Sequence, residues 1–210
     1  MFEDRKKLVV WSGGLDSTTI LDGLAKSSTK ENPVLTLSFE GNFLDSRKVV
    51  EERRVRKNYL RYAKKKGYFI ENNLIKVNAD ITPEYLGWAQ QVFWMSFMLP
   101  YIPDDCDVYL GFIQGDGVWL AVSNFYTIFN EFRYVGGREN IALHFPFSYK
   151  KKWEVLKEFR AAKIPHNCSW TCELPIVKSS KVQACGRCNP CISLSMAKKE
   201  LVLRKRGVRE

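Results

Sequence analysis

Three features of the chain predict an α/β fold: a mainly parallel sheet flanked by helices, with a small cysteine-rich module at the C-terminal end. Short apolar runs alternate with longer segments of helical periodicity, the pattern of right-handed βαβ units. The first apolar run ends in a glycine pair, Gly13-Gly14, at the strand end where such sheets hold their ligands. Five of the six cysteines lie between Cys168 and Cys191, in the last quarter of the 210 residues. The division expected is an α/β domain over 1–164 and a cysteine module with a terminal helix over 165–210.

Leu8-Val9-Val10-Trp11 reads as a short buried strand, and the glycines that follow end it. Asp16 or Ser17 is suited to cap the helix that runs on to about Ala25. Val34 to Phe39 is a second strand, stopped by Glu40-Gly41-Asn42, and Ser46 to about Lys66 is a long helix. Leu74 to Val77 is a third strand, and the largely apolar stretch from Tyr85 to Tyr101 is a buried helix closed by Pro103. Asp107 to Ile113 supplies a fourth strand. Val118 to Arg133 carries aromatics at helical spacing, and Tyr149 to Ala162 is amphipathic.

Composition narrows the class. Apolar residues make up 45% of the chain, with 13 Phe, 9 Tyr and 6 Trp, enough for a substantial core and against disorder. No apolar run approaches the roughly 20 residues that span a bilayer. The charged stretch Met1–Lys7 leads only into Leu8–Trp11, too short for a signal peptide, so a cytoplasmic setting is expected. The net charge is +10, much of it between Arg47 and Lys66. Two readings fit that stretch, a solvated basic helix face or a field for polyanions such as ATP, tRNA or an acidic protein. Composition does not choose between them.

Ser12-Gly13-Gly14-Leu15-Asp16-Ser17 has the makings of a phosphate loop. Backbone amides must approach anionic oxygens closely, and glycine allows this because no Cβ intervenes. The helix that follows adds its positive N-terminal end, and Ser12, Ser17 and Thr18 add hydroxyl donors. Asp16 would be repelled by phosphate unless it holds a turn or a Mg²⁺ ion. The loop lacks the Gly-Lys-Ser/Thr ending of a Walker A motif and is not Gly-x-Gly-x-x-Gly.

Cys185-Gly-Arg-Cys188-Asn-Pro-Cys191, with Cys172 upstream, is a C-x2-C-x2-C run suited to a four-thiolate metal site. Zn²⁺ held tetrahedrally is the expected occupant, and an iron–sulfur cluster is the competing one. Cys168 could exchange with Cys172, His166 is a weaker competitor, and Cys106 reads as a core thiol.

The loop resembles the Ser-Gly-Gly-x-Asp-Ser loop of the N-type ATP pyrophosphatases, whose fold is Rossmann-like, of the adenine-nucleotide alpha hydrolase type. With the cysteine run, the chain resembles the 7-cyano-7-deazaguanine synthases in particular. Phe39-Glu40-Gly41-Asn42, Pro146 with Lys152-Trp153-Glu154, Trp170-Thr171-Cys172 and Cys185 to Cys191 follow that family's segments in order. The resemblance implies that a 7-carboxy-7-deazaguanine carboxylate is adenylated by ATP, with AMP and pyrophosphate released on the way to an amide and then a nitrile. It implies Ser12, Gly13, Gly14, Leu15, Asp16, Ser17 and Thr18 around pyrophosphate and Phe39, Glu40 and Gly41 near adenosine. Asp16, Ser17 and Lys152 would be catalytic, with Mg²⁺ as companion to ATP, structural Zn²⁺ on Cys172, Cys185, Cys188 and Cys191, and a homodimer.

The middle of the chain departs from that family. Trp88-Ala89-Gln90-Gln91 stands where the family has a Pro-Gly-Arg-Asn-like segment, and Gly111 to Trp119 lacks its Asp-Cys-Arg. A ligase that joins the activated acid to another amine, on a protein in a bacterial defence setting, is therefore a second reading. A non-catalytic adapter that binds nucleotide or an acidic partner is a third. Nucleic acid is not required by any of the three.

Overall fold

The computed structural model describes residues 5–41, 44–78, 95–115 and 122–207. Five parallel strands form the main sheet: β1 (Lys6–Val10), β2 (Val34–Gly41), β3 (Ile70–Val77), β4 (Cys106–Tyr109) and β5 (Ala142–His144). Their order is β3-β2-β1-β4-β5. The chain winds outward from β1 in both directions, so the reversal of strand order falls between β1 and β4. Ligands of such sheets lie at that reversal, beyond the carboxyl ends of the strands.

Helix α1 (Leu15–Ala25) follows β1, and α2 (Ser46–Lys65) follows β2. Residues 95–98 are helical and run into a 3₁₀ turn, Leu99–Tyr101. Helix α3 (Val122–Val135) precedes β5, and α4 (Lys152–Ala161) follows it. The C-terminal part has a 3₁₀ turn (His166–Cys168), an antiparallel pair β6 (Ile176–Lys178) and β7 (Lys181–Gln183), and α5 (Asn189–Lys205).

Strand alternation sorts β1 onto both faces of the sheet. Leu8 joins a core with Met95, Met98, Ile102, Phe125 and Phe129, under residues 95–102 and α3. Val9 and Trp11 join the other core with Leu21 of α1, Tyr59 of α2, and Val155 and Phe159 of α4. Ala197 and Leu201 of α5 belong to that second core. No described helix is long and apolar enough to cross a membrane.

Several expectations are corrected at their edges. The first helix begins at Leu15, with Gly14 in extended conformation as N-cap and no side-chain cap. Asp16 and Ser17 lie inside the first turn instead. The third strand starts at Ile70 rather than Leu74, because residues 70–77 pair one for one with Val34–Gly41. Tertiary pairing there overrides the poor strand propensity of Asn72 and Asn73. The fourth strand stops at Tyr109, where the chain turns away at Gly111. Strand β5 and the β6–β7 pair, three residues each, are too short for a periodicity signal, although Ile141, Leu143 and Phe145 alternate inward. The long helix is as read, and Asp45 caps it by accepting from the Arg47 and Lys48 amides. Of the helix expected over Tyr85–Tyr101, residues 85–94 lie outside the described residues, as do Trp88–Gln91 and Asp116–Trp119.

Gly111, just beyond the end of β4, packs directly against the first turn of α1. A Cβ placed there would sit 2.8 Å from the Ser17 amide nitrogen and 3.2 Å from the Asp16 carbonyl carbon. Those are backbone atoms of the first turn of α1, so they cannot swing aside. Gly111→Ala should therefore destabilise the protein by about 1–3 kcal/mol, the usual cost of overpacking. A lower urea midpoint with an unaltered slope would report it.

Candidate functional site

A cleft of about 650 Å³ opens at the reversal point, within the range of ordinary small-molecule sites. Ser12, Gly14, Leu15, Asp16 and Ser17 form one wall. Phe39 from the end of β2 and Gly111 and Phe112 from the end of β4 line it further. Lys152 from α4 and the segment Trp170–Glu173 close it. Residues from four separate stretches of the sequence thus converge on the uncapped end of α1.

The loop is held open by contacts made behind it. The Trp11 amide donates to the Leu37 carbonyl at 2.8 Å, and Ser38 Oγ donates to the Trp11 carbonyl at 2.7 Å. The buried Trp11 indole donates to Thr18 Oγ1 at 3.0 Å, so Thr18 braces the turn from inside. Gly13 has φ +89, a conformation that glycine adopts without strain. A Cβ there would press on Val55, Arg56 and the Glu52 carbonyl of α2 at 3.1 to 3.3 Å. The Gly14 amide donates to Ser12 Oγ at 3.1 Å, and Ser12 Oγ lies 3.3 Å from Ser17 Oγ. With no side chain capping α1, its first amides and these two hydroxyls are an anion nest in the sense that helix N-termini allow.

Asp16 meets Lys152 across the cleft, Oδ2 to Nζ at 2.5 Å, with both side chains mostly buried. Its other oxygen, Oδ1, is buried without a hydrogen-bond donor among the described residues. A carboxylate with one orphaned oxygen beside an anion nest suits a hard cation such as Mg²⁺. Lys152 owes its position to the start of α4, where the Lys151 amide donates to Glu154 Oε2 at 2.8 Å. The Gln114 amide, beyond β4, donates to the Lys150 carbonyl at 3.0 Å and ties that approach to the sheet.

Not every expected residue faces the cleft. Phe39 lines it, but Glu40 turns to α2, where Arg53 and Arg56 grip it at 2.6 and 2.7 Å. The hydrogen bond from Arg53 holds the Glu40 carboxyl below its ordinary range, against the opposing effect of burial. Arg56 also donates to the Ser12 carbonyl at 3.1 Å. Glu40 therefore anchors an arginine that anchors the loop. Gly13 and Thr18 likewise support the wall from behind, and Gly41 pairs with Val77 of β3 rather than lining the cleft.

Sequence reading missed Lys48, Glu52 and Glu173, which line the far side of the cleft. Lys48 bridges Glu52 at 3.7 Å and also pairs with Glu173. Burial works against the Lys48 charge, but the two carboxylates outweigh it and raise its pKa. Burial likewise pushes the Glu52 carboxyl up. Nothing in a charge-rich helix such as α2 distinguishes these residues before the fold brings Glu173 to them.

The cysteines converge. The sulfurs of Cys172, Cys185, Cys188 and Cys191 all lie within 4.8 Å of one another. Tetrahedral Zn–S bonds of ~2.3 Å would set them ~3.8 Å apart, and Cys172 and Cys188 stand at 3.9 Å. The donor set fits a single metal ion. Amides of Arg187 and Cys188 point at Cys185 Sγ from 3.4 and 3.3 Å. Those donors, Arg187 first, hold the Cys185 thiol down to about 6, toward the thiolate that binds metal. Cys168 is buried in the apolar core, which pushes its thiol up to about 11. Cys106 is a core thiol as expected.

This cluster is also part of the cleft. Cys172 lies in the segment that closes it, and the Trp170 amide donates to the Gly13 carbonyl at 2.9 Å. Arg56 holds the next carbonyl back, that of Ser12, from the other side. Arg56→Ala should destabilise the protein by about 3 kcal/mol, the low end for breaking a buried pair because Arg53 remains on Glu40. Chemical unfolding of the variant beside the parent measures this, and an unchanged midpoint would refute the bracing role.

Comparison with known proteins agrees with this geometry. Residues 108–201 match the family described as "Queuosine biosynthesis protein QueC". No curated protein matches the chain. A U34-tRNA thiolase, NcsA, from Methanococcus maripaludis, solved with its [4Fe-4S] cluster, has a similar fold. Its TM-score is 0.52 at 11% identity, over 97% of this chain and 67% of that one. NMN synthetase from Francisella tularensis aligns at TM-score 0.44 and 14% identity, over 100% of this chain and 80% of that one. The chain is thus similar to the queuosine-biosynthesis family over residues 108–201, and its fold is similar to that of the archaeal thiolase.

Proposed function

We propose that the protein uses ATP to adenylate a carboxylate of the 7-carboxy-7-deazaguanine type and then passes the acyl group to ammonia or another amine. The observation that carries this reading is the uncapped N-terminus of α1 beside an ion pair, Asp16–Lys152, inside a cleft. The first amides of α1, with Ser12 and Ser17, would hold the β- and γ-phosphates. A substrate carboxylate oxygen attacks the α-phosphorus, and the bond to the bridging oxygen breaks as pyrophosphate leaves. Fixing both partners in line is the kind of alignment that contributes roughly 7–11 kcal/mol.

Lys152 would neutralise charge developing on the phosphates once ATP draws it from Asp16. Asp16, with its orphaned Oδ1, would hold Mg²⁺, which supplies further charge neutralisation when bound. Phe39 offers an aromatic wall for adenine. Ammonia then attacks the acyl carbon and AMP departs, leaving an amide. A second ATP would adenylate the amide oxygen with release of pyrophosphate, and loss of the two amide protons with departure of AMP would then leave a nitrile. Departures at 88–91 and 111–119 favour a second reading in which the reaction stops at the amide or joins a different amine. Residues 165–210 would act as a metal-pinned module that closes the cleft. We assign Zn²⁺ to its four thiolates, whereas the archaeal thiolase carries a [4Fe-4S] cluster. A homodimer and a cytoplasmic setting belong to the same proposal.

Incubation with ATP, Mg²⁺, ammonia and 7-carboxy-7-deazaguanine should release pyrophosphate and AMP. Product mass separates nitrile from amide, and absence of turnover rejects the enzyme. Asp16→Ala should lower turnover at least 100-fold while circular dichroism stays native; full activity would remove the loop from the reaction.

Metal analysis should find about one zinc per chain, and iron with visible absorbance would overturn that assignment. Because Cys172 and Trp170 border the loop, ATP should slow release of the metal to a colorimetric chelator several-fold. Equal release rates with and without ATP would deny that coupling.

A further inference from the structure

Helix α2 divides its charges unevenly. Between Arg47 and Lys66 the sequence has ten cations against two acids, Glu51 and Glu52. In the first half the cations are matched: Arg47 pairs with Asp45, Arg54 with Glu51, and Arg53 and Arg56 with Glu40. In the second half, Lys57, Arg61 and Lys64 are exposed and have no carboxylate partner among the described residues. They recur at spacings of four and three, so they form one stripe along the helix. Like charges so placed repel one another, and the fold gains nothing visible from them.

The stripe borders a groove of about 390 Å³ between α2 and the edge strand β3. Arg53, Arg56, Lys57, Leu60, Arg61 and Lys64 of α2 line one side and Asn72 and Leu74 of β3 the other, with Glu40 of β2, already paired with Arg53 and Arg56, also in the lining. Arg53 to Lys64 spans about 16 Å of helix at ~1.5 Å per residue. The lining holds no aromatic residue, and its only apolar members are Leu60 and Leu74. Protein partners are anchored by buried aromatic and apolar residues, and this groove offers little for them. A regularly charged polymer needs no such anchor.

We propose that this groove binds the phosphodiester backbone of single-stranded nucleic acid, without sequence preference. The surface is separate from the ATP cleft and does not rest on the function assigned to it. Cations meet phosphates, counterions are released, and the absence of stacking residues leaves base identity unread.

The test is fluorescence anisotropy of a labelled 20-nucleotide RNA of mixed sequence, titrated with the full chain over a range of salt. The parent should bind with a steep salt dependence, and permuting the RNA sequence should change affinity less than threefold. The variant K57E/R61E/K64E should bind at least tenfold more weakly, and its log–log salt slope should be shallower by about 2 (~0.7 per lost contact). K57Q/R61Q/K64Q should fall between the two, and both should keep the parent's circular dichroism and its pyrophosphate release from ATP. The control K30E/K198E/K199E carries the same charge change on other surfaces and should bind like the parent. Equal loss in the control would reduce the effect to bulk charge and overturn the proposal. So would tighter binding of polyglutamate than of RNA, or an unchanged slope in the stripe variants.

Discussion

An uncapped helix end kept open by its neighbours is the constraint on which the rest of this structure depends. The first amides of α1 would ordinarily be satisfied by a capping side chain or by water. Here Gly14 occupies the cap position and offers no side chain, so the amides stay available to a ligand. Such a loop has no stiffness of its own. Its shape comes from Leu37 and Ser38 on one side, Arg56 behind, Gly111 beneath and Trp170 above.

The C-terminal part of the chain reaches into that arrangement. The Trp170 amide reaches Gly13, and Cys172, two residues later, belongs to the metal-ready cluster. Glu173 follows and pairs with Lys48 at the start of α2. One short strap therefore touches the phosphate loop, the metal site and the helix that braces the loop.

Charge is distributed to match. The first half of α2 has its cations locked onto Asp45, Glu51, Glu52 and Glu40, and one of these pairs, Lys48–Glu52, lines the cleft. In the second half the cations face solvent along the sheet edge. A single helix thus has a structural half and an outward-facing electrostatic half, the latter with five cations, Lys57, Arg61, Lys64, Lys65 and Lys66, and no acid. The helix stays intact because Tyr59 and Ala63 bury its inner face.

Much of this was legible in the amino acids themselves. The glycine pair after an apolar run, the alternation of strands with helices, and the cysteine spacing are local patterns, and local patterns survive without a fold. They determined the α/β class, the glycine turn between β1 and α1, and the four cysteines that converge. Only the tertiary structure decided that Glu40 serves Arg56 rather than the cleft, and that Lys48, Glu52 and Glu173 belong together. It alone drew the third strand four residues longer and added the three-residue strands. Ion pairs between residues more than a hundred positions apart, such as Asp16–Lys152, leave no trace in spacing. Short edge strands exist because a neighbour supplies their hydrogen bonds, and that neighbour is chosen by the packing of the whole chain.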